Sequence, residues 1–219
     1  EKIMVIKRIL PSLSGDPAFV SMFNREACIA AQLFHQNIVQ IFDYGQHDRS
    51  YFIAMEYVHG RDLRSLIEAA AAQGEVLPVS VTLAIASAAC SALDYAHRRK
   101  GLDGNALHVV HRDVSPQNIL VSHEGAVKLT DFGLAQRLDI DSVRDGQIQG
   151  KFAYMSPEQA MGDPLDQRSD IFSLGIVLYE MLCGQRPFRS KDLTELMVTI
   201  RKGRFEPPSK VNPALPEAL

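Results

Sequence analysis

Little in the chain marks it as secreted, metal-bound or nucleic-acid-binding. Cysteine occurs three times, at Cys28, Cys90 and Cys183. The three are far apart, each in an apolar, helix-like stretch, and read as buried reduced thiols of a cytosolic domain. No CxxC pair or Cys/His cluster offers the spacing of a zinc site. Neither sign of charge dominates: 23 basic residues face 26 acidic ones, a net of −3, which gives no bulk attraction to nucleic acid or an anionic membrane. No signal peptide is visible, and there is no internal repeat. The longest weakly polar run, PVSVTLAIASAACSAL (78–93), is broken by Ser and Thr, is short for a membrane span, and reads as a buried helix. What remains is a chain of 219 residues, 46% hydrophobic, sufficient for one or two domains with a sizeable core.

Local patterns divide this chain near Val58–Gly60. Before that point, IMVIKRI reads as a strand, and AFVSMFNREACIAAQLF as a helix with Asp16 near its start. NIVQIFDYG and SYFIAMEYV read as two strands joined by the polar turn GQHDRS. Beyond it, DLRSLIEAAAAQG reads as a helix from Asp62 to Gly74, and PVSVTLAIASAACSALDYAHRR as a long apolar helix with Pro78 in its first turn. Two short β-rich stretches, NILVS and AVKLT, flank the turn HEG. SDIFSLGIVLYEMLCG is a further apolar helix, with Ser169 and Asp170 as N-cap candidates and Gly184 as its stop. The chain starts inside a strand and ends in a Pro-rich segment, so both ends read as cut.

The chemistry concentrates in HVVHRDVSPQNILVS (108–122), where His-Arg-Asp is followed by Asn118, five residues after Asp113. That spacing suits phosphoryl transfer, which needs charge neutralised and an attacking hydroxyl held in line. Around it stand, in order, Lys7 in MVIK, Glu26 in NREA, HQNIV, AMEYV, Asp131 in TDFG, YMSPE and RSDIFSLG. Taken together, these motifs resemble the eukaryotic-type protein kinase domain from end to end, and more narrowly the bacterial, myxobacterial-like Ser/Thr kinases.

The resemblance implies an α+β, bilobal protein-kinase-like fold, truncated at both ends. Residues 1–58 would be a partial N-lobe, small and β-rich with one helix. Residues 59–219 would be a partial, mainly helical C-lobe. It implies ATP as phosphoryl donor with Mg²⁺ or Mn²⁺, and protein substrates bearing Ser or Thr. Asp113 would accept or orient the substrate proton. Lys7 would reach the α- and β-phosphates, paired to Glu26, while Asp131 and Asn118 would hold metal through hard oxygens. Met55 takes the gatekeeper position, Glu56 and Val58 offer backbone groups to adenine, Val5 and Leu120 form roof and floor, and Asp62 faces the ribose. His111 and Phe132 are expected to pack, with Ala30 and Ile41, rather than catalyse. Asp170 is expected to brace the catalytic loop. Partners implied are ATP and protein substrates, with a homodimer as one route to autophosphorylation, no nucleic acid, and no membrane contact within this segment. The location implied is cytoplasmic, with any membrane anchor outside the segment.

The departures from the family pattern are informative. Ser115 stands where the catalytic-loop lysine is expected, and Lys151 stands where the activation segment usually carries threonine. The fold implied brings these positions together, so Lys151 is expected to reach the γ-phosphate while Ser115 takes the bridging role. Arg112 is of the kind that binds an activation-segment phosphate; either Ser142 carries that phosphate or a neighbouring carboxylate substitutes for it. The Gly-rich loop and the arginine partner of Glu158 fall outside the sequence, so these boundaries predict weak ATP binding and a weak or inactive segment. HRRKGLDGNALHVV (97–110) is longer than the family link and reads as a turn or small hairpin, either a branch decoration or a docking site. A pseudokinase scaffold is the alternative reading, and a small-molecule phosphotransferase a third that the SPE segment disfavours.

Overall fold

The computed structural model describes residues 3–9, 15–48, 50–101, 103–132 and 152–216. Strand β1 (Met4–Arg8) is followed by helix α1 (Pro17–Ala30). Asp16 caps α1 by accepting the N–H groups of Ala18 at 2.9 Å and Phe19 at 3.3 Å. Pro17 stands in the first turn, where its missing N–H costs nothing. Strands β2 (Ile41–His47) and β3 (Ser50–Glu56) form the expected hairpin, and the sheet runs β1-β3-β2, antiparallel throughout. Its central strand buries Ile53, Ala54 and Met55, whereas the edge strand β1 is exposed along its length. The register sets Val5 opposite Met55 and Lys7 opposite Ile53.

The larger part begins with β4 (Gly60–Asp62), α2 (Leu63–Ala71) and α3 (Val79–His97). A 3-10 turn (Pro116–Asn118) leads into β5 (Ile119–Ser122) and β6 (Val127–Leu129), which pair in the order β4-β5-β6. Helices α4 (Pro157–Met161), α5 (Gln167–Cys183), α6 (Leu193–Lys202) and α7 (Pro208–Val211) complete the described chain. Gly60 is required where β4 meets β5, because a Cβ there would lie 2.0 Å from the Val121 carbonyl oxygen.

Helix α3 is long and apolar enough to cross a membrane, yet Ile85, Ala89, Ala92, Leu93 and Ala96 form a buried face that packs against α5. That three-to-four spacing is what the sequence predicts for a core helix. Two hydrophobic cores result. Phe23, Ala27, Val39, Ile53 and Met55 form the smaller. The larger is built on α3 and α5 and also takes in Ala30, Leu33 and Ile38, so α1 and the loop after it belong to both.

Two sequence expectations are corrected. The cysteines are free but not buried: Cys28 and Cys90 are exposed and Cys183 is half-buried. Positions 28 and 90 fall off the inward faces set by Phe23, Ala27 and Ala30 on α1 and by Ala89, Ala92 and Leu93 on α3. The N-cap of α5 is Asp166, whose carboxylate accepts the Arg168 N–H at 2.8 Å. Ser169 and Asp170 instead sit inside its first turn, both buried. Gly184 ends α5 at φ 68°, as expected. In the 97–110 segment, Lys100 and Ala106 form an antiparallel bridge and the Leu107 N–H donates to the Arg99 carbonyl at 2.9 Å, which makes a small hairpin.

Candidate active site

The loop His111–Asp113 passes through Arg112 at φ 68°, a left-handed conformation that a residue with a Cβ adopts at a cost. Asp170, almost fully buried in the first turn of α5, holds it there. One carboxylate oxygen accepts the Arg112 N–H at 2.8 Å, and the other accepts the His111 N–H at 2.8 Å. His97, at the end of α3, meets that second oxygen through Nε2 at 2.7 Å. From the other side, Gln159 of α4 donates its Nε2–H to the Arg112 carbonyl at 2.7 Å. Three helices thus over-determine one strained loop.

His111 is wholly buried and both ring nitrogens are committed. Nδ1 accepts the Asp113 N–H at 3.2 Å, so Nε2 carries the proton and donates to the Thr130 carbonyl at 2.9 Å. Its ring stands 4.5 Å from that of Phe132. Ala30, Ile38, Ile41 and Met55 line the same small cavity as Phe132. No ring nitrogen is left for proton transfer, which fits a packing role.

Asn118 fixes the Asp113 carboxylate. Its Nδ2 donates to the Asp113 carbonyl at 2.8 Å and to Asp113 Oδ2 at 2.8 Å. A hollow of about 860 Å³ opens beside Asp113, with Phe152, Tyr154, Met155 and Leu193 on its walls. Asp131, at φ 64°, turns its carboxylate toward β1, where Oδ2 lies 2.8 Å from Lys7 Nζ.

The expected Lys7–Glu26 pair is therefore replaced by two others. Glu26 Oε1 accepts from the Arg112 guanidinium at 3.1 Å, while Glu26 Oε2 is buried without a partner among the described residues. The reason is physical. Lys7 is half exposed on an edge strand and takes the more accessible carboxylate, whose side chain is 24% exposed. Glu26 is buried on α1, and the planar, weakly hydrated guanidinium is the cation suited to meet it there. Burial pushes the Glu26 carboxyl above its ordinary range, and Arg112 offsets this only in part.

Between the two lobes, Val58, Gly60, Asp62, Ser65 and Leu120 line a cavity of about 380 Å³. Asp62 caps α2 from its wall, accepting the Ser65 N–H at 2.9 Å. Met55 is buried next to this strand end and Val5 lies opposite it. The Glu56 side chain is spent on Lys128 at 3.0 Å, and its N–H on the Gln40 carbonyl at 2.8 Å. Ser115 is buried, and its carbonyl accepts the Asn118 N–H at 3.0 Å. Lys151 and Ser142 lie outside the described residues.

The motifs do not point to Gln159, His97 or a buried cluster of Arg64, Tyr154 and Glu180. Gln159 was accessible from the pattern Ser156-x-x-Gln159, a capping box whose two reciprocal bonds both form in α4. The cluster joins α2, α5 and the segment between them: Arg64 donates to Glu180 at 3.0 Å and the Tyr154 hydroxyl donates to Glu180 at 2.5 Å. Burial, with the Glu180 charge beside it, pushes the Tyr154 hydroxyl far up and keeps it protonated. Among the described residues, no group of three or more His, Cys, Asp or Glu side chains gathers as a self-sufficient metal site.

The family model described as "Protein kinase domain" matches residues 1–216. The chain is 41% identical over 220 residues to the tyrosine-protein kinase MasK of Myxococcus xanthus, covering 100% of this chain and 34% of that protein. It is 35% identical over 220 residues to the serine/threonine-protein kinase PrkC of Bacillus subtilis, covering 100% of this chain and 32% of that protein. It thus spans about a third of the length of these curated relatives. Among solved structures, the PknI kinase domain of Mycobacterium tuberculosis superposes with a TM-score of 0.71 at 31% identity, covering 97% of this chain and 72% of that one.

Proposed function

Because the chain belongs to the protein kinase domain family, we propose that it transfers the γ-phosphate of ATP to serine and threonine hydroxyls of protein substrates. The observation that carries this reading is the double hydrogen bond by which Asn118 fixes Asp113 at the edge of the large hollow. A hydroxyl entering there meets a carboxylate already oriented to take its proton. The hydroxyl oxygen then bonds to the γ-phosphorus, the bond to the bridging oxygen breaks, and its electron pair leaves with ADP. Val58 carries no hydrogen bond on its backbone among the described residues, which leaves its N–H and C=O available to an adenine ring. Asp131 and Asn118 offer the two hard oxygens to hold Mg²⁺ or Mn²⁺, few enough that waters and phosphates would complete the shell. When bound, the ion supplies neutralisation of phosphate charge. Lys7 is in reach of that place already, on Asp131.

Labelled ATP given to a complete kinase domain that carries this chain, beside its Asp113→Asn variant, tests the reading. Transfer by the parent and none by the variant is expected; equal signals would move the assignment to a nucleotide-binding scaffold. A tyrosine acceptor is the second reading, favoured by the name of the Myxococcus relative, and hydrolysis of the labelled product to phosphoamino acids separates the two. We also assign to Lys151 the γ-phosphate contact that Ser115 cannot make. Lys151→Thr should then lower the rate on the order of 10²–10³-fold, and adding Ser115→Lys should restore it. Undiminished activity in Lys151→Thr would reject the exchange.

A further inference from the structure

The hairpin at 97–110 has no part in the chemistry above, yet it fixes one wall of a second cavity. This hollow, about 500 Å³, lies on α3 and the loop after α1 and is lined by His35, Ser91, Asp94, Tyr95, Arg98, Arg99 and Lys100. Its volume is in the range of small-molecule sites. The loop is tied to α3 by the Phe34 N–H, which donates to the Tyr95 hydroxyl at 3.3 Å, and by the His35 ring stacked 5.1 Å from that of Tyr95. The floor is therefore built rather than a chance gap between side chains.

The lining holds one carboxylate, Asp94, against three cationic side chains, an imidazole and a hydroxyl. Arg98 is satisfied by Asp94 at 2.8 Å. Arg99 is not: its guanidinium stands 5.8 Å from the Tyr95 ring centre, it forms no ion pair among the described residues, and its Nε is buried without a hydrogen-bond partner. Lys100 likewise has no ion pair among the described residues, and the hairpin base holds both cations through the Arg99 carbonyl and the Lys100–Ala106 bridge. His35 accepts the Asn37 N–H at Nδ1, 3.2 Å away, so its proton is on Nε2. The Ser91 hydroxyl is a further donor.

We propose that this cavity binds a phosphate monoester. A guanidinium fork, an ammonium, an imidazole N–H and a hydroxyl outnumber what one carboxylate accepts and suit the three oxygens of a phosphoryl dianion. The ester is either a free small molecule or a phosphorylated side chain of a protein. The inference is independent of the catalytic reading.

The test follows the Arg99 Nε–H resonance by NMR while phenyl phosphate, a phosphoserine tripeptide or benzoate is titrated into the chain. Both phosphates are expected to shift it saturably, with benzoate weaker by about tenfold or more. Lys100→Gln, at an exposed position, should weaken phosphate binding by about tenfold. An unmoved Arg99 signal, equal binding of benzoate, or undiminished binding by Lys100→Gln would overturn the site. Either ranking of the two phosphates supports it: a tighter tripeptide identifies a phosphorylated protein as the source, and a tighter phenyl phosphate a small ester.

Discussion

At Glu26 two requirements conflict. The carboxylate is buried on α1 with one oxygen unpartnered, and its pKa is raised above the ordinary 4.5. A raised folded-state pKa means that the folded chain binds this proton more readily than the unfolded chain. From the ordinary value up to the raised one, this residue makes stability fall as pH rises, and the deficit is complete once the pH lies above the raised value. Glu26→Gln is expected to flatten the pH profile of the urea midpoint in that window. It should leave the chain at least as stable above that window, while lowering phosphoryl transfer because the Arg112 guanidinium, next to Asp113, loses its ion pair. Asp170 is the opposite case, a buried carboxylate with every oxygen used. Asp170→Ala orphans the N–H groups of His111 and Arg112 and leaves His97 unmatched. Loss of roughly 2–5 kcal/mol in denaturant unfolding is expected. That Lys7, Glu26, Asp113, Asn118 and Asp131 gather at one site was legible in the sequence; how Lys7, Glu26, Arg112 and Asp131 pair was not. Four charges within reach of one another admit more than one pairing, and relative burial decides among them.

Among the elements, β4 is short but consequential. It sets Asp62 opposite Leu120, and both line the inter-lobe cavity. A Cβ at Gly60 would meet backbone atoms of Val121 and Ser122 at 2.0 and 2.6 Å, so the two strands would have to part. Gly60→Ala should cost about 1–3 kcal/mol and weaken binding of a nucleotide analogue, measured by calorimetry beside the parent. Alternating and three-to-four patterns located the strands and helices well because each buries one face. Ends were less legible. Asp166, three residues before Ser169, is as good a cap as Ser169 or Asp170, and only the burial of the latter two settles the choice. The cysteines misled for a related reason: composition says that thiols prefer the interior, but the helical face decides where each one points.

Across the whole molecule, α1 and its following loop contribute to both cores, so neither lobe's packing is complete without the other. Urea unfolding followed by far-UV dichroism and by tyrosine fluorescence should give one coincident transition. Two separated transitions would show that the shared residues do not couple the lobes. The two-lobed outline was legible because composition changes at the boundary; the sharing was not, because Ala30 and Leu33 look like any apolar residues of one helix. A last consequence follows from the two left-handed residues at the candidate active site, Arg112 and Asp131. On the function proposed above, their side chains would serve chemistry at a conformational cost that glycine would not incur. A descendant released from selection for catalysis could therefore gain stability by accepting glycine at either position. In such a lineage, substitution at 112 or 131 would record the loss of activity early, while the rest of the fold stayed recognisable.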